Sequence, residues 1–478
     1  MVDWAARSLC EAADAIATGH VSAREVAEAC LDRTARLDGH LSCFVEHDPD
    51  ATIAAAEAAD DALRRGVAPG PLHGVPLAHK DMYYRAGRVS SCGSRVPHEE
   101  VQFETATVLT RLDNAGAIET GRLVMVEFAL GPHGYNANYP LCRNAWDPDY
   151  IPCGSSSGSG VAVSAGMVFG SLGSDTGGSI RCPAAVSGAV GLVPTRGRVS
   201  RSGVMPMSFS LDVVGPIARR ARDCARLLSV IAGRDSADST SLDMPVPDYE
   251  ATLEAPGPVP RIGVARGYFD EQLHTEVAAA LADAIDTFRR IGFSVEEVAM
   301  PTDDLRAISE LHPLIMKAEG AANHMEWMRA RPDDYTPEVR HRLQAGFFVP
   351  ATDYIQALKL RGHFLREFLR VAFGSVDLLL TPVLRGVVPT IAETMNRRGA
   401  AYLDMVTSLT RNTKVVNYLG LPAMSVPCAF TSNGLPTAFQ LIGRPWSEAS
   451  MLEAAHRYEQ ATDWHLRQPP IVTEVAAA

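Results

Sequence analysis

Three segments of this 478-residue chain carry residue types suited to catalysis: 74–81 (GVPLAHKD), 153–160 (CGSSSGSG) and 174–183 (SDTGGSIRCP). The first holds Lys80, one of only four lysines (Lys80, Lys317, Lys359 and Lys414) among 44 basic residues. Arginine stays protonated in a protein, whereas a buried ammonium can be pushed towards neutrality and serve as a base. A lysine kept where arginine is the habit therefore suggests a need to titrate. Residues 75–78 are apolar, so the Lys80 stem is expected to run inward.

In SDTGGSIR, Gly177 and Gly178 let the chain turn without a Cβ penalty, so successive N–H groups can converge in front of Ser179 and form an oxyanion hole. Losing one such donor costs on the order of 3 kcal/mol of transition-state stabilisation. Asp175 and Arg181 flank the loop and are expected to pair beneath it as structural support. Ser155, from the serine cluster, supplies a second hydroxyl. A hydroxyl both donates and accepts, so Ser155 can relay a proton between Ser179 and Lys80.

The surrounding pattern has to position these groups. Ser22 and Glu25 form a capping box ahead of a helix, and an Ala-rich helix is predicted over 49–65. Gly and Pro at 66–74 lead into a short strand at 75–78, helical spacing returns at 105–116, and 117–120 reads as the next strand. This alternation predicts an α/β layered core. The Gly/Ser/Pro-rich stretch 141–203 is read as a backbone-built site, because 161–172 has helical apolar spacing and 182–193 is Ala- and Val-rich. A polar, Pro-containing stretch at 236–260 precedes a strand at 261–265, a mostly helical 270–372, strands at 376–380 and 423–427, and a last helix at 448–461.

Hydrophobic residues make up 46% and charged residues 21%, the composition of an ordinary globular enzyme. A net charge of -12 and a pI near 5.6 provide no basic field for a phosphate backbone, so nucleic acid is not an expected partner. The start lacks a signal-peptide pattern, and no apolar run reaches the ~20 residues of a membrane span. Nine scattered cysteines without CxxC spacing read as reduced thiols of a cytoplasmic protein, not as disulfides or a zinc site.

Together, GSSSG, then GSDTGGSIRxP, with GVPxxxKD upstream, resemble the amidase signature family, as do 144–152 (NAWDPDYIP), 191–202 (GLVPTRGRVSRS), 417–427 (NYLGLPAMSVP) and 434–445 (GLPTAFQLIGRP). The resemblance covers roughly residues 20–235 and 375–460. It implies one large α/β/α domain over 1–478 with a central mixed β-sheet flanked by helices. The catalytic core would take about 60–235 and 375–465, with 236–374 a variable, mostly helical, substrate-facing region. It further implies Ser179 as nucleophile, Ser155 as bridging serine after a cis Gly154–Ser155 peptide, and Lys80 as base. The amides of Thr176, Gly177, Gly178 and Ser179 would hold the oxyanion, and neither metal nor organic cofactor is required.

Departures shape the rest of the expectation. Cys153 stands where the family usually has glycine. Val124 and Val126 make one cleft wall more apolar, and with the Met and aromatic residues of 316–348 they favour a hydrophobic or aromatic small-molecule amide, anilide, ester or carbamate (urethane). Cys182 stands where the glutaminase subunit of tRNA-dependent amidotransferases resembles SIRQP, which favours a free-standing monomer or homodimer without nucleic acid or membrane. Two rivals remain: that glutamine-hydrolysing component, and an α/β-hydrolase esterase with a nucleophile elbow at Ser156 and His79 or His456 as partner. The two prolines and two acids of 147–152, where an elbow needs an apolar strand, weigh against the second.

Overall fold

The computed structural model describes residues 2–97, 100–254 and 257–474. The capping box forms as expected: Ser22 Oγ accepts from the Glu25 amide and the Glu25 side chain reaches back, opening the helix Ala23–Leu41. Asp48 caps the helix Pro49–Arg64 through its own side chain.

Eleven strands form one mixed sheet. They are β1 (Phe44–His47), β2 (Pro76–Lys80), β3 (Ile118–Leu123), β4 (Gly170–Asp175), β5 (Val190–Val193), β6 (Val213–Ala218), β7 (Ile262–Arg266), β8 (Val295–Ala299), β9 (Leu378–Pro382), β10 (Ala423–Phe430) and β11 (Pro436–Gly443). The spatial order is β1-β3-β2-β4-β6-β5-β10-β11-β9-β7-β8. Parallel pairing holds at β3-β2-β4 and at β9-β7-β8, while the strands between run antiparallel. Helices cover the sheet, giving the single α/β domain expected from the resemblance. The central strands β2, β4, β5, β6 and β9 are buried at every position, as strands covered on both faces must be.

Two stretches break differently from the sequence pattern. The helical spacing of 161–172 yields the helix Ser157–Ser164 and then β4, because Gly166 turns the chain at φ 70. The Ala/Val run 182–193 divides likewise into the helix Arg181–Ser187 and β5, separated by Gly188 at φ 67. Strands β1, β6, β8 and β11 lie where no strand was expected. Within the mostly helical 270–372, β8 is an edge strand with three exposed positions out of five, so no apolar run marks it.

Candidate active site

Lys80 ends β2, and the parallel neighbour β4 pairs with it through Leu77 and Gly170. Three residues on in β2 and four in β4, the carboxyl ends of the strands bring Lys80 beside Ser174, the end of the sheet at which open α/β folds place their ligands. Lys80 Nζ lies 2.6 Å from Ser155 Oγ and 2.8 Å from Ser174 Oγ. The lysine is 1% exposed, and burial pushes its pKa from 10.5 down to about 7, although the carboxylates of Asp212 and Asp175 pull it back up. Near neutral pH a large fraction is therefore free amine, whose lone pair can take a proton from Ser155 while an N–H still donates to Ser174.

Ser155 follows the cis Gly154–Ser155 peptide and is fully buried at the start of the helix Ser157–Ser164. Its carbonyl accepts from the Val126 amide at 3.1 Å, which anchors the loop to the neighbouring segment. Ser179 is half-buried and opens into a cavity of about 600 Å³. The serine segments meet through the Ser156 amide, which donates to the Ser179 carbonyl at 3.4 Å. Lys80 and Ser155 are thus joined directly, while the Ser155 and Ser179 hydroxyls share no hydrogen bond.

Asp175 organises the glycine loop from below. Its carboxylate accepts from the amides of Gly178 (2.7 Å), Ile180 (3.0 Å) and Arg181 (3.3 Å), and pairs with the Arg181 guanidinium at 2.9 and 3.1 Å. Burial alone would raise this carboxyl; the Arg181 charge and these donors outweigh it and hold the pKa at about 2. Arg181, also fully buried, reaches on to Gln440 Oε1 (2.6 Å) and Asn417 Oδ1 (2.5 Å). One expectation changes: the Gly178 amide belongs to Asp175 and cannot also hold an oxyanion. The amides of Gly177 and Ser179 make no hydrogen bond among the described residues. Gly178 itself must be glycine, since its φ is +134 and a Cβ there would stand 2.9 Å from Cys182 Sγ and run into Thr413 Oγ1.

Several site residues carry no local sequence signal. Ser174 is the second acceptor for Lys80. Asp212 accepts from Thr176 Oγ1 at 2.6 Å and from the amides of Met207 and Ser208. His312, kept neutral by burial with a pKa of about 4, donates from Nε2 to the Thr176 carbonyl at 2.8 Å and lines the cavity. Asn417 Nδ2 donates to both the carboxylate and the carbonyl of Asp175. Only the scarcity of lysine hinted at another, Lys414, which also lines the cavity.

The nucleophile-elbow rival does not assemble. Ser156 is fully buried and donates to the Ser174 carbonyl at 3.4 Å. His79 accepts from the Leu172 amide through Nδ1, and burial drops its pKa to about 3; His456 is bonded to Gln460 on the helix Glu448–Gln460. Val124 and Val126 are buried, and neither lines the cavity into which Ser179 opens; of Met316, Met325, Trp327, Met328, Phe347 and Phe348, only Met316 does. Among the described residues no group of His, Cys, Asp and Glu is arranged to hold a metal, and no helix is long and apolar enough to cross a membrane. All nine cysteines are buried and unpaired.

Residues 25–452 match the family model described as Amidase. The chain belongs to the amidase signature family. This amidase-family chain is an enzyme of C–N bond hydrolysis by class. It is 38% identical to the A subunit of glutamyl-tRNA(Gln) amidotransferase from Moorella thermoacetica, over 96% of the chain and 98% of that protein. The same-named protein of Methylococcus capsulatus is also 38% identical, over 97% and 98%. Among solved structures, the corresponding glutamyl-tRNA(Gln) amidotransferase protein from Thermotoga maritima superposes with TM-score 0.79 at 30% identity, covering 96% of each chain. The native peptide amidase of Stenotrophomonas maltophilia superposes with TM-score 0.82 at 30% identity, covering 97% and 98%.

The likeness to these amidotransferase proteins overturns the expectation of a free-standing monomer or homodimer that acts on a small-molecule amide or carbamate, without nucleic acid. Those relatives are, by name, one subunit of an enzyme acting on a glutamyl-tRNA. The physical reason for the error is visible. Cys182 is buried against the Leu409 carbonyl and Thr413, so its identity reports packing and not docking. The net charge of -12 describes this chain's own field and not that of a protein beside it.

Proposed function

We propose that the chain cleaves a carboxamide through an acyl-enzyme on Ser179, with Lys80 as base and Ser155 as the relay between them. The observation that carries this reading is the fully buried Lys80 amine, 2.6 Å from Ser155 Oγ with a pKa of about 7. The uncharged amine takes the Ser155 proton as Ser155 takes that of Ser179, and the Ser179 oxygen attacks the amide carbon. The amides of Thr176, Gly177 and Ser179 are the donors offered to the oxyanion, with Gly178 shaping the loop. The proton returns through Ser155 to the leaving nitrogen, and water then hydrolyses the acyl-serine by the same route. Residues 236–374 serve as the substrate-facing region, since Glu310, His312 and Leu343 line the cavity.

The full-length likeness to the amidotransferase relatives supports a second layer: the chain works as the amide-hydrolysing subunit of a tRNA-dependent amidotransferase. The test is to assay the purified chain on glutamine, alone and reconstituted with companion subunits and glutamyl-tRNA(Gln), while trapping the acyl-enzyme for mass spectrometry. An adduct on Ser179 supports the mechanism, and its absence under turnover defeats it. Stimulation by the companions and tRNA supports the role within a larger enzyme; glutamine hydrolysis indifferent to them defeats it.

A further inference from the structure

Three of the four lysines gather at one place. Lys80 is the buried amine, and Lys317 and Lys414 line the cavity into which Ser179 opens. Lys414 lies on the helix Gly399–Leu419, whose Leu403, Val406, Thr407, Thr410 and Lys414 follow the three-and-four spacing of one helical face and form one wall. The neighbouring Thr413 donates to the Gly177 carbonyl at 2.6 Å, which fixes this turn of helix against the glycine loop. A Cβ built on Gly177 would stand 3.6 Å from Lys414 Cβ.

Lys414 is 8% exposed, yet its side chain makes no hydrogen bond or ion pair with any described residue. Its ammonium thus meets the cavity with no protein counter-ion beside it. Burial lowers its pKa; Glu310 pulls the other way from beyond ion-pair reach, and Arg411 and Arg385 lower it further. The other acid on the wall is already engaged: Glu338 accepts from His133 at 3.1 Å and from Tyr402, and pairs with Arg342 at 3.2 Å. Lys317 is exposed to solvent. Leu130, Met316 and Leu343 add apolar surface to the same cavity, on whose wall Lys414 has no side-chain partner.

We propose that Lys414 determines specificity by pairing with a carboxylate on the acyl part of the amide presented to Ser179, a proposal that rests on the reading of Ser179 as nucleophile. The carboxylate supplies the counter-ion that the folded chain withholds, and the apolar walls hold the carbons between the two ends.

The test titrates the full chain with succinate, glutarate and adipate, and with pentanoate, which carries a single carboxylate. The best of the three dicarboxylates should bind at least tenfold more tightly than pentanoate. K414M and K414Q should bring that ratio near one, and K414R should restore the preference. Melting curves identify which of the two neutral variants is folded for the comparison. Equal affinities in the parent chain, or a preference that survives in the folded neutral variant, overturn the proposal. Sulfonylation of Ser179 by phenylmethylsulfonyl fluoride is followed in parallel by mass spectrometry. Its failure with an intact dicarboxylate preference would count against the nucleophile and not against Lys414.

Discussion

Lys80 and Ser155 come from segments 75 residues apart and meet with Nζ 2.6 Å from Oγ, both side chains almost wholly withdrawn from water. Burial lowers the pKa of the nitrogen to about 7, and the carboxyl ends of β2 and β4 bring it into its site. The activity should therefore follow the titration of this amine. The base works only when unprotonated, so kcat/KM should rise with pH through about 7 and then level. Lys80→Arg should be nearly as poor as Lys80→Ala, each slower by on the order of 10² to 10⁴, because a charge that cannot titrate is no base. A pH-rate profile of the parent chain and both variants checks this. Near-parental turnover by Lys80→Arg would falsify the assignment.

Ser179→Ala should abolish acyl-enzyme formation altogether, while Ser155→Ala should slow acylation by several orders of magnitude and leave the fold intact. Stopped-flow kinetics with mass spectrometry of the quenched enzyme separates the two. An acyl adduct in Ser179→Ala would place the nucleophile elsewhere.

Asp175→Asn should destabilise the protein more than it changes any surface. It leaves Arg181, fully buried, without its carboxylate, and breaking such a pair costs about 3–5 kcal/mol. Thermal melts should show a large fall in Tm together with lost activity. Pairing Asp175→Asn with Arg181→Met should recover part of the stability and none of the activity, because the amide of Gly178 still lacks its charged acceptor.

Gly178→Ala probes the loop separately from its charges. The residue sits at φ +134, and the added methyl meets Thr413 Oγ1 and Cys182 Sγ. A cost of about 1–3 kcal/mol is expected from the backbone strain alone, along with a drop in kcat as Gly177 and Ser179 are displaced. An unchanged Tm and rate would show that the loop tolerates a side chain and does not need this conformation.

Glu459 offers a pH test away from the site. It is 5% exposed beneath the amide of Ala221, and burial raises its pKa from 4.5 to about 8. Between those values the folded state binds a proton that the unfolded state has released, so this group's contribution to stability falls as pH rises through the window. Glu459→Gln should match the parent Tm near pH 5 and exceed it near pH 9. A parallel pair of melting curves would show the carboxyl to be ionised in the fold.

Read as sequence, Lys80, Ser155, Ser179, Asp175, Arg181 and the paired glycines were all visible, because each lies in a short segment whose own backbone demands restrict its residues. Gly178 needs a left-handed conformation, Asp175 needs donors within the next six positions, and Lys80 stands out against a background of arginine. The strands β2, β7, β9 and β10 were legible for a related reason, since buried strands carry mainly apolar runs. The edge strand β8, half polar, was not. What only the tertiary structure decided is the set of groups that arrive from a distance. Ser174 reaches Lys80 across neighbouring strands, Asp212 and His312 brace Thr176 from either side, and Asn417 and Gln440 complete the buried charges of Asp175 and Arg181. Their side chains are ordinary in their own segments. The ring of partners that uses them exists only once the sheet has brought together residues up to 259 positions apart, and the same folding spent the Gly178 amide on Asp175 and left Lys414 without a counter-ion.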